Sequence, residues 1–97
     1  ITLSSNVILG GNVHIMNGSN LGIKTIVHQD QTIGSYSMIG MGSIVTKKSK
    51  IEPGFIYFGK PVKRMRLNNI GLKKNNIDNK TLAKEKKRFI TIKKNKF

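Results

Sequence analysis

The sequence predicts a parallel β-helix, and three observations predict it. Every sixth residue from Leu3 onward is aliphatic: Leu3, Leu9, Ile15, Leu21, Val27, Ile33, Ile39, Val45 and Ile51. The residue that follows is often glycine, at Gly10, Gly22, Gly34 and Gly40. Two positions before each aliphatic stands a small or apolar residue (Ile1, Val7, Val13, Ser19, Thr25, Ser37, Ser43, Ser49), with Gln31 the one large exception. A period of six is neither the 3.6 of an amphipathic helix nor the 2 of a half-buried strand. An antiparallel sheet would also show hairpin turns, and none is read here. Six residues therefore make one short strand and a corner, and three such faces close one coil.

The elements follow in order. Residues 1–51 hold nine hexads, hence three coils stacked at strand spacing, about 4.8 Å. The aliphatics point inward and stack on one another, the small residues fit the narrow inside near each corner, and the glycines supply corner conformations. Pro53-Gly54 is a turn that breaks the repeat, with Phe55 and Tyr57 continuing a last half-coil. Gly59-Lys60-Pro61 turns the chain out, and "LNNIGLKKNNID" reads as a linker or short irregular segment. A helix is expected from Asp78, which caps it, with Leu82, Ala83, Phe89 and Ile90 on one face, a stripe that Lys86 weakens. The terminal "ITIKKNKF" reads as frayed. This divides the chain into residues 1–66, the β-helix and its exit segment, and residues 67–97, a basic linker and helical tail.

Composition narrows the chemistry. With 97 residues and no cysteine, disulfides, thiolate nucleophiles and Cys-based metal sites are excluded. Apolar runs are too short for a signal peptide or a membrane span, so a cytoplasmic protein is expected. The net charge of +14 is unevenly placed: residues 1–46 contain only Lys24 and Asp30, which cancel, while residues 47–97 hold 17 basic and 3 acidic residues. A basic surface attracts polyanions, but few aromatics are available to stack bases and no groove-reading motif is present. No specific nucleic-acid function is expected. Ile1 is already in register with the repeat, so further coils precede it in a natural protein or the chain is a truncated copy.

The stretches "NVILGGNVHI", "LGIKTIVHQ", "IGSYSMIGMGSIVTK", "FGKPV" and "LNNIGLKK" resemble the hexapeptide-repeat acyltransferases, and among them the UDP-N-acetylglucosamine O-acyltransferases and related nucleotide-sugar acyltransferases. The matching pieces run from Asn6 to about Lys74. The hexads alone are shared with many acetyltransferases; the VHQ triplet followed by G-x-P and N-x-x-G-L-K is more specific. The resemblance implies a left-handed β-helix, a homotrimer, and grooves between subunits as active sites. It implies no bound cofactor and no metal. The donor is an acyl thioester on the phosphopantetheine of an acidic acyl carrier protein, or on coenzyme A.

Site residues carry over one by one. His28 and Gln29 match groove residues near the sugar-phosphate. Met41 matches the position whose size limits acyl-chain length. Asn68 matches a nucleotide-contacting asparagine, and Lys73 and Lys74 match part of a basic pair. A neighbouring acidic residue of the family is replaced by Ile70, and a second groove histidine by Asn12. The general-base histidine of the family falls before Ile1, so the catalytic residue is unknown and the 97-residue chain alone is expected to be inactive. Without the resemblance, His28 and His14 read as solvated histidines outside the coil, and Lys73 and Lys74 as solvated charge.

The reading that results is acyl transfer to a hydroxyl or amine of a nucleotide sugar, as in lipid A-type glycan biosynthesis. A histidine base would deprotonate the acceptor, which attacks the thioester. Two alternatives stay open: an acetyl-CoA-dependent sugar acetyltransferase, or a truncated, non-catalytic β-helix remnant.

Overall fold

The computed structural model describes residues 1–94. Eight two-residue strands line its coils: β1 (Thr2–Leu3), β2 (Ile8–Leu9), β3 (His14–Ile15), β4 (Asn20–Leu21), β5 (Ile26–Val27), β6 (Thr32–Ile33), β7 (Met38–Ile39) and β8 (Ile44–Val45). Strands pair in parallel, residue with residue 18 further on. Leu3 lies beside Leu21 and Leu21 beside Ile39; Leu9 beside Val27 and Val27 beside Val45; Ile15 beside Ile33, which bridges to Ile51. Three hexads per coil and three sheets give the β-solenoid that the spacing predicts, about three turns long.

Backbone N–H groups of one coil donate to the next, as from Thr2 to the Ser19 carbonyl and from Gly22 to the Ile39 carbonyl, both at 2.8 Å. Leu21, Val27, Ile33, Ile39, Val45 and Ile51 are buried, whereas Leu3 and Leu9 of the first coil are exposed. The small residues at minus two have a second task. The hydroxyls of Ser19, Thr25 and Ser37 donate to carbonyls three residues back, at 2.8, 2.7 and 2.6 Å. This satisfies corner carbonyls that no strand reaches. Gln31, the large exception, extends its amide nitrogen to the carbonyls of Thr46 and Ser49, each at 2.7 Å.

The role expected of the repeat glycines is corrected. Left-handed corner conformations recur with period six, but at Asn6, Asn12, Lys24, Asp30 and Tyr36 (φ 56–63°), with Gly18 and Gly42 in the same series. Asn and Asp tolerate this region; Lys24 and Tyr36 are held there by the stack. The glycine after an inward aliphatic is needed for clearance. A Cβ on Gly22 would lie 2.7 Å from the Met41 nitrogen and 2.9 Å from the Ile39 oxygen.

At the top of the solenoid the expected half-coil is present, and a strand that was not expected follows it. Strand β9 (Phe55–Gly59) continues the stack, with Ile39 beside Tyr57, so Tyr57 is the tenth inward residue and is buried. Its hydroxyl accepts from the Glu52 N–H at 2.8 Å, and burial pushes the phenol pKa up. The chain then folds back as β10 (Val62–Leu67), antiparallel to β9. A hairpin exists after all, where the sequence read a simple exit. Three of the six residues in "VKRMRL" are basic, which hides a strand from pattern reading. Val62 packs on the core, and the Arg64 guanidinium sits 4.7 Å from the Phe55 ring centroid.

The expected linker is a short helix, α1 (Asn69–Lys74). Helix α2 (Asn79–Lys94) begins after Asp78 as predicted, and the Asp78 carboxylate accepts the Thr81 N–H at 2.7 Å. Only part of the predicted stripe is right: Leu82 and Phe89 are buried, but Ala83 and Ile90 are exposed. The seam runs instead through Glu85, which accepts a hydrogen bond from the Ser35 hydroxyl, and Lys86, whose ammonium lies 5.6 Å from the Phe55 ring centroid. Lys86 therefore joins the stripe through its alkyl stem and an aromatic face. Residues 90–94 of the tail expected to fray are helical; the rest of it lies outside the described residues.

Two outcomes are expected. Gly22→Ala should destabilise the chain by about 1–3 kcal/mol through overpacking, while Gly11→Ala, whose Cβ meets nothing within 4 Å, should change denaturant midpoints little. The Thr81 backbone N–H, bonded to the Asp78 carboxylate, holds its pKa below the ordinary value. Its contribution to α2 is complete above the ordinary aspartate range and is lost as pH falls through the lowered value. Acid titration of helicity should show this loss, and Asp78→Asn, which keeps an acceptor, should remove that pH dependence.

Candidate functional site

Two clefts hold the residues singled out by the sequence. The first, about 380 Å³, is lined by His28, Gln29, Asp30, Gln31, Lys47 and Lys93. His28 follows inward Val27 and is exposed outside the coil. Its Nδ1 lies 2.9 Å from the Gln29 carbonyl. A carbonyl only accepts, so Nδ1 is the donor in this contact. Asp30, in the same lining, accepts from the Asn12 amide at 3.0 Å. Asn12 is thus a corner partner of Asp30. His14 is exposed on β3, beside Thr32 of β6, and lines neither cleft.

The second cleft, about 570 Å³, lies between the outer face of the β1–β4–β7–β9–β10 sheet and α1. Its lining includes Asn20, Met38, Ile56, Arg66, Asn68 and Lys74. Asn68 is buried, and its carboxamide has two tasks: Oδ1 accepts from the Gly71 N–H at 3.2 Å, capping α1, and Nδ2 donates to the Tyr36 carbonyl at 2.9 Å. The side chain anchors α1 to the coil corner and so fixes where Lys74 stands. Lys73 is exposed and does not line the cleft.

Within one chain the predicted residues are therefore divided. His28 and Gln29 share the first cleft, Asn68 and Lys74 share the second, and Met41 lines neither. Met41 is 68% exposed, at the corner next to Gly40, one coil above exposed Ile23. A third surface feature is apolar: Ile8, Ile26 and Ile44 stack along the outside of the β2–β5–β8 sheet, with Ile8 and Ile26 exposed. Among the described residues no three His, Cys, Asp or Glu side chains converge to hold a metal.

Sequence reasoning missed Lys47, Lys93 and Arg66. Lys47 was within reach, because it stands 18 residues after Gln29 and hence one coil above it, in the register that pairs Val27 with Val45. Lys93 required the packing of α2, and Arg66 required the hairpin.

No family model matches the sequence. The acyl-[acyl-carrier-protein]–UDP-N-acetylglucosamine O-acyltransferase of Pseudomonas savastanoi pv. phaseolicola is 28% identical over 93 residues, which is 95% of this chain and 35% of that protein. The structure of Arabidopsis UDP-N-acetylglucosamine acyltransferase superposes with a TM-score of 0.71 at 28% identity, covering 78% of this chain and 26% of the other. LpxA from Acinetobacter baumannii gives 0.70 at 28% identity, covering 86% and 31%. The chain is a hexapeptide-repeat β-helix similar to the UDP-N-acetylglucosamine acyltransferases, spanning about a third of their length.

Proposed function

We propose that the chain forms the groove-bearing part of an acyltransferase that moves an acyl group from a thioester to a nucleotide sugar. The observation that carries this reading is the division of the candidate residues over two clefts on different faces. Such a division suits a groove assembled from neighbouring subunits, with His28 and Gln29 contributed by one chain and Asn68 and Lys74 by another. In such a groove His28 and Gln29 contact the sugar-phosphate, while Lys74, aided by Lys73, supplies point charge to a diphosphate. The Ile8–Ile26–Ile44 stripe, exposed at Ile8 and Ile26, is the apolar surface that subunit contact would bury. This reading assigns no general base among these 97 residues, so binding is the appropriate measure for this chain by itself.

The donor is proposed to be an acyl thioester on an acidic carrier protein. Residues 47–97 hold 17 basic and 3 acidic residues, and such a surface speeds encounter with an acidic partner in a salt-dependent way. No helix among the described residues is long and apolar enough to cross a membrane.

Sedimentation of the chain should give three copies, and Ile26→Lys, which places a charge in the stripe, should shift it toward monomer. A wild-type monomer at micromolar concentration would sink the shared groove. The function itself is tested at Met41. If its side chain closes the acyl groove, Met41→Gly should improve the affinity for a long-chain over a medium-chain acyl-pantetheine, by up to about 0.8 kcal/mol per methylene newly accommodated. An unchanged ratio removes Met41 from the groove, and a wild-type protein that binds neither ligand overturns the acyltransferase reading.

A further inference from the structure

Along a regular strand, side chains two residues apart share a face. Arg64 and Arg66 of β10 do not. Arg64 pairs with Tyr57, which points into the core, and Arg66 pairs with Ile56. Residues 56 and 57 are successive on β9 and face opposite sides. The register shift between Arg64 and Arg66 accounts for the difference: Met65 is an extra residue, and the bulge re-aims the side chains beyond it. Arg64 stays over Phe55, 3.8 Å from Glu52. Arg66 instead extends the outer row formed by Asn20, Met38 and Ile56, which runs along the second cleft. Lys74 reaches the same cleft from α1, at a position fixed by the two hydrogen bonds of Asn68. Among the residues lining it there is no Asp or Glu.

We propose that Arg66 is a specificity-determining residue of this cleft, which the β10 bulge aims at the diphosphate of a nucleoside diphosphate group. The proposal rests on the nucleotide-sugar reading above and adds to it a second cation that lines the cleft, beside Lys74. A guanidinium fork can grip two phosphate oxygens at once, and the Lys74 ammonium adds point charge beside it. Met38, Ile56 and Ile70 offer apolar surface to the rest of the ligand. A nucleotide-sugar acceptor and a coenzyme A donor both present this chemistry.

The test is calorimetric titration of the full chain with inorganic pyrophosphate, UDP and ADP, with folding of each variant checked by thermal melting. Arg66→Met should weaken pyrophosphate binding about fivefold, the loss of one exposed ion pair. Arg66→Lys should recover part of that loss. Lys87→Gln, on the exposed side of α2, should leave binding unchanged. Wild-type affinity in Arg66→Met, an equal loss in Lys87→Gln, or no pyrophosphate binding at millimolar concentration would each overturn the assignment. The underlying reading is judged separately. UDP that binds no tighter than pyrophosphate removes the nucleotide reading and leaves Arg66 as a diphosphate ligand. ADP preferred over UDP assigns the cleft to coenzyme A.

Discussion

Everything in this chain depends on one constraint: residue n must lie directly beneath residue n + 18. Side-chain packing and hydrogen bonding both enforce it. Leu21 sits between Leu3 and Ile39, and the N–H groups of each coil donate to the coil above. A slip by one residue would turn every inward aliphatic outward. The glycines, the corner serines and Gln31 are all consequences. Gly22 lets the third coil pass close by, Ser37 satisfies a carbonyl at the turn, and Gln31 ties two coils where its hexad could have held a small residue.

The same constraint sets what could be read from the sequence. Inward positions from Leu3 to Ile51 were legible because one physical demand recurs nine times in the same phase. The repeat glycines were legible as a pattern but not as a cause, since close approach between coils is a property of the stack and not of the hexad. The corners themselves are turned by residues such as Lys24 and Tyr36, which carry no sequence signal for a left-handed backbone. Beyond the repeat, local signals still marked the half-coil at Tyr57 and the start of α2 at Asp78, but not the elements between them. The β9–β10 hairpin, α1 and the true seam of α2 rest on non-repeating contacts, such as Lys86 over Phe55, that no periodicity announces.

The candidate site shows the same division. His28 and Lys47 could be placed by counting, because both belong to the repeat. Arg66 could not, because a bulge reverses the face that counting assigns to it. Charge follows the boundary closely: residues 1–46 are neutral, and the end of the repeat, the hairpin and the helices are basic. The solenoid thus serves as a rigid frame and contributes Asp30 and Lys47 to the first cleft, while the non-repeating segments add Lys93 there and Arg66 and Lys74 to the second. Asn68 links the two parts, its carboxamide oxygen capping α1 and its nitrogen donating to the Tyr36 corner.

The hairpin also gives the stack a direction. A parallel solenoid is open to growth wherever a coil presents unpaired N–H and C=O groups, and each new coil is a copy of the last. Strand β10 stands at the edge of the five-stranded sheet, runs against the others, and carries Lys63, Arg64, Arg66 and an irregular register. A strand arriving there meets like charge and a broken ladder. On this face of the solenoid, addition of a further strand at β10 is therefore disfavoured.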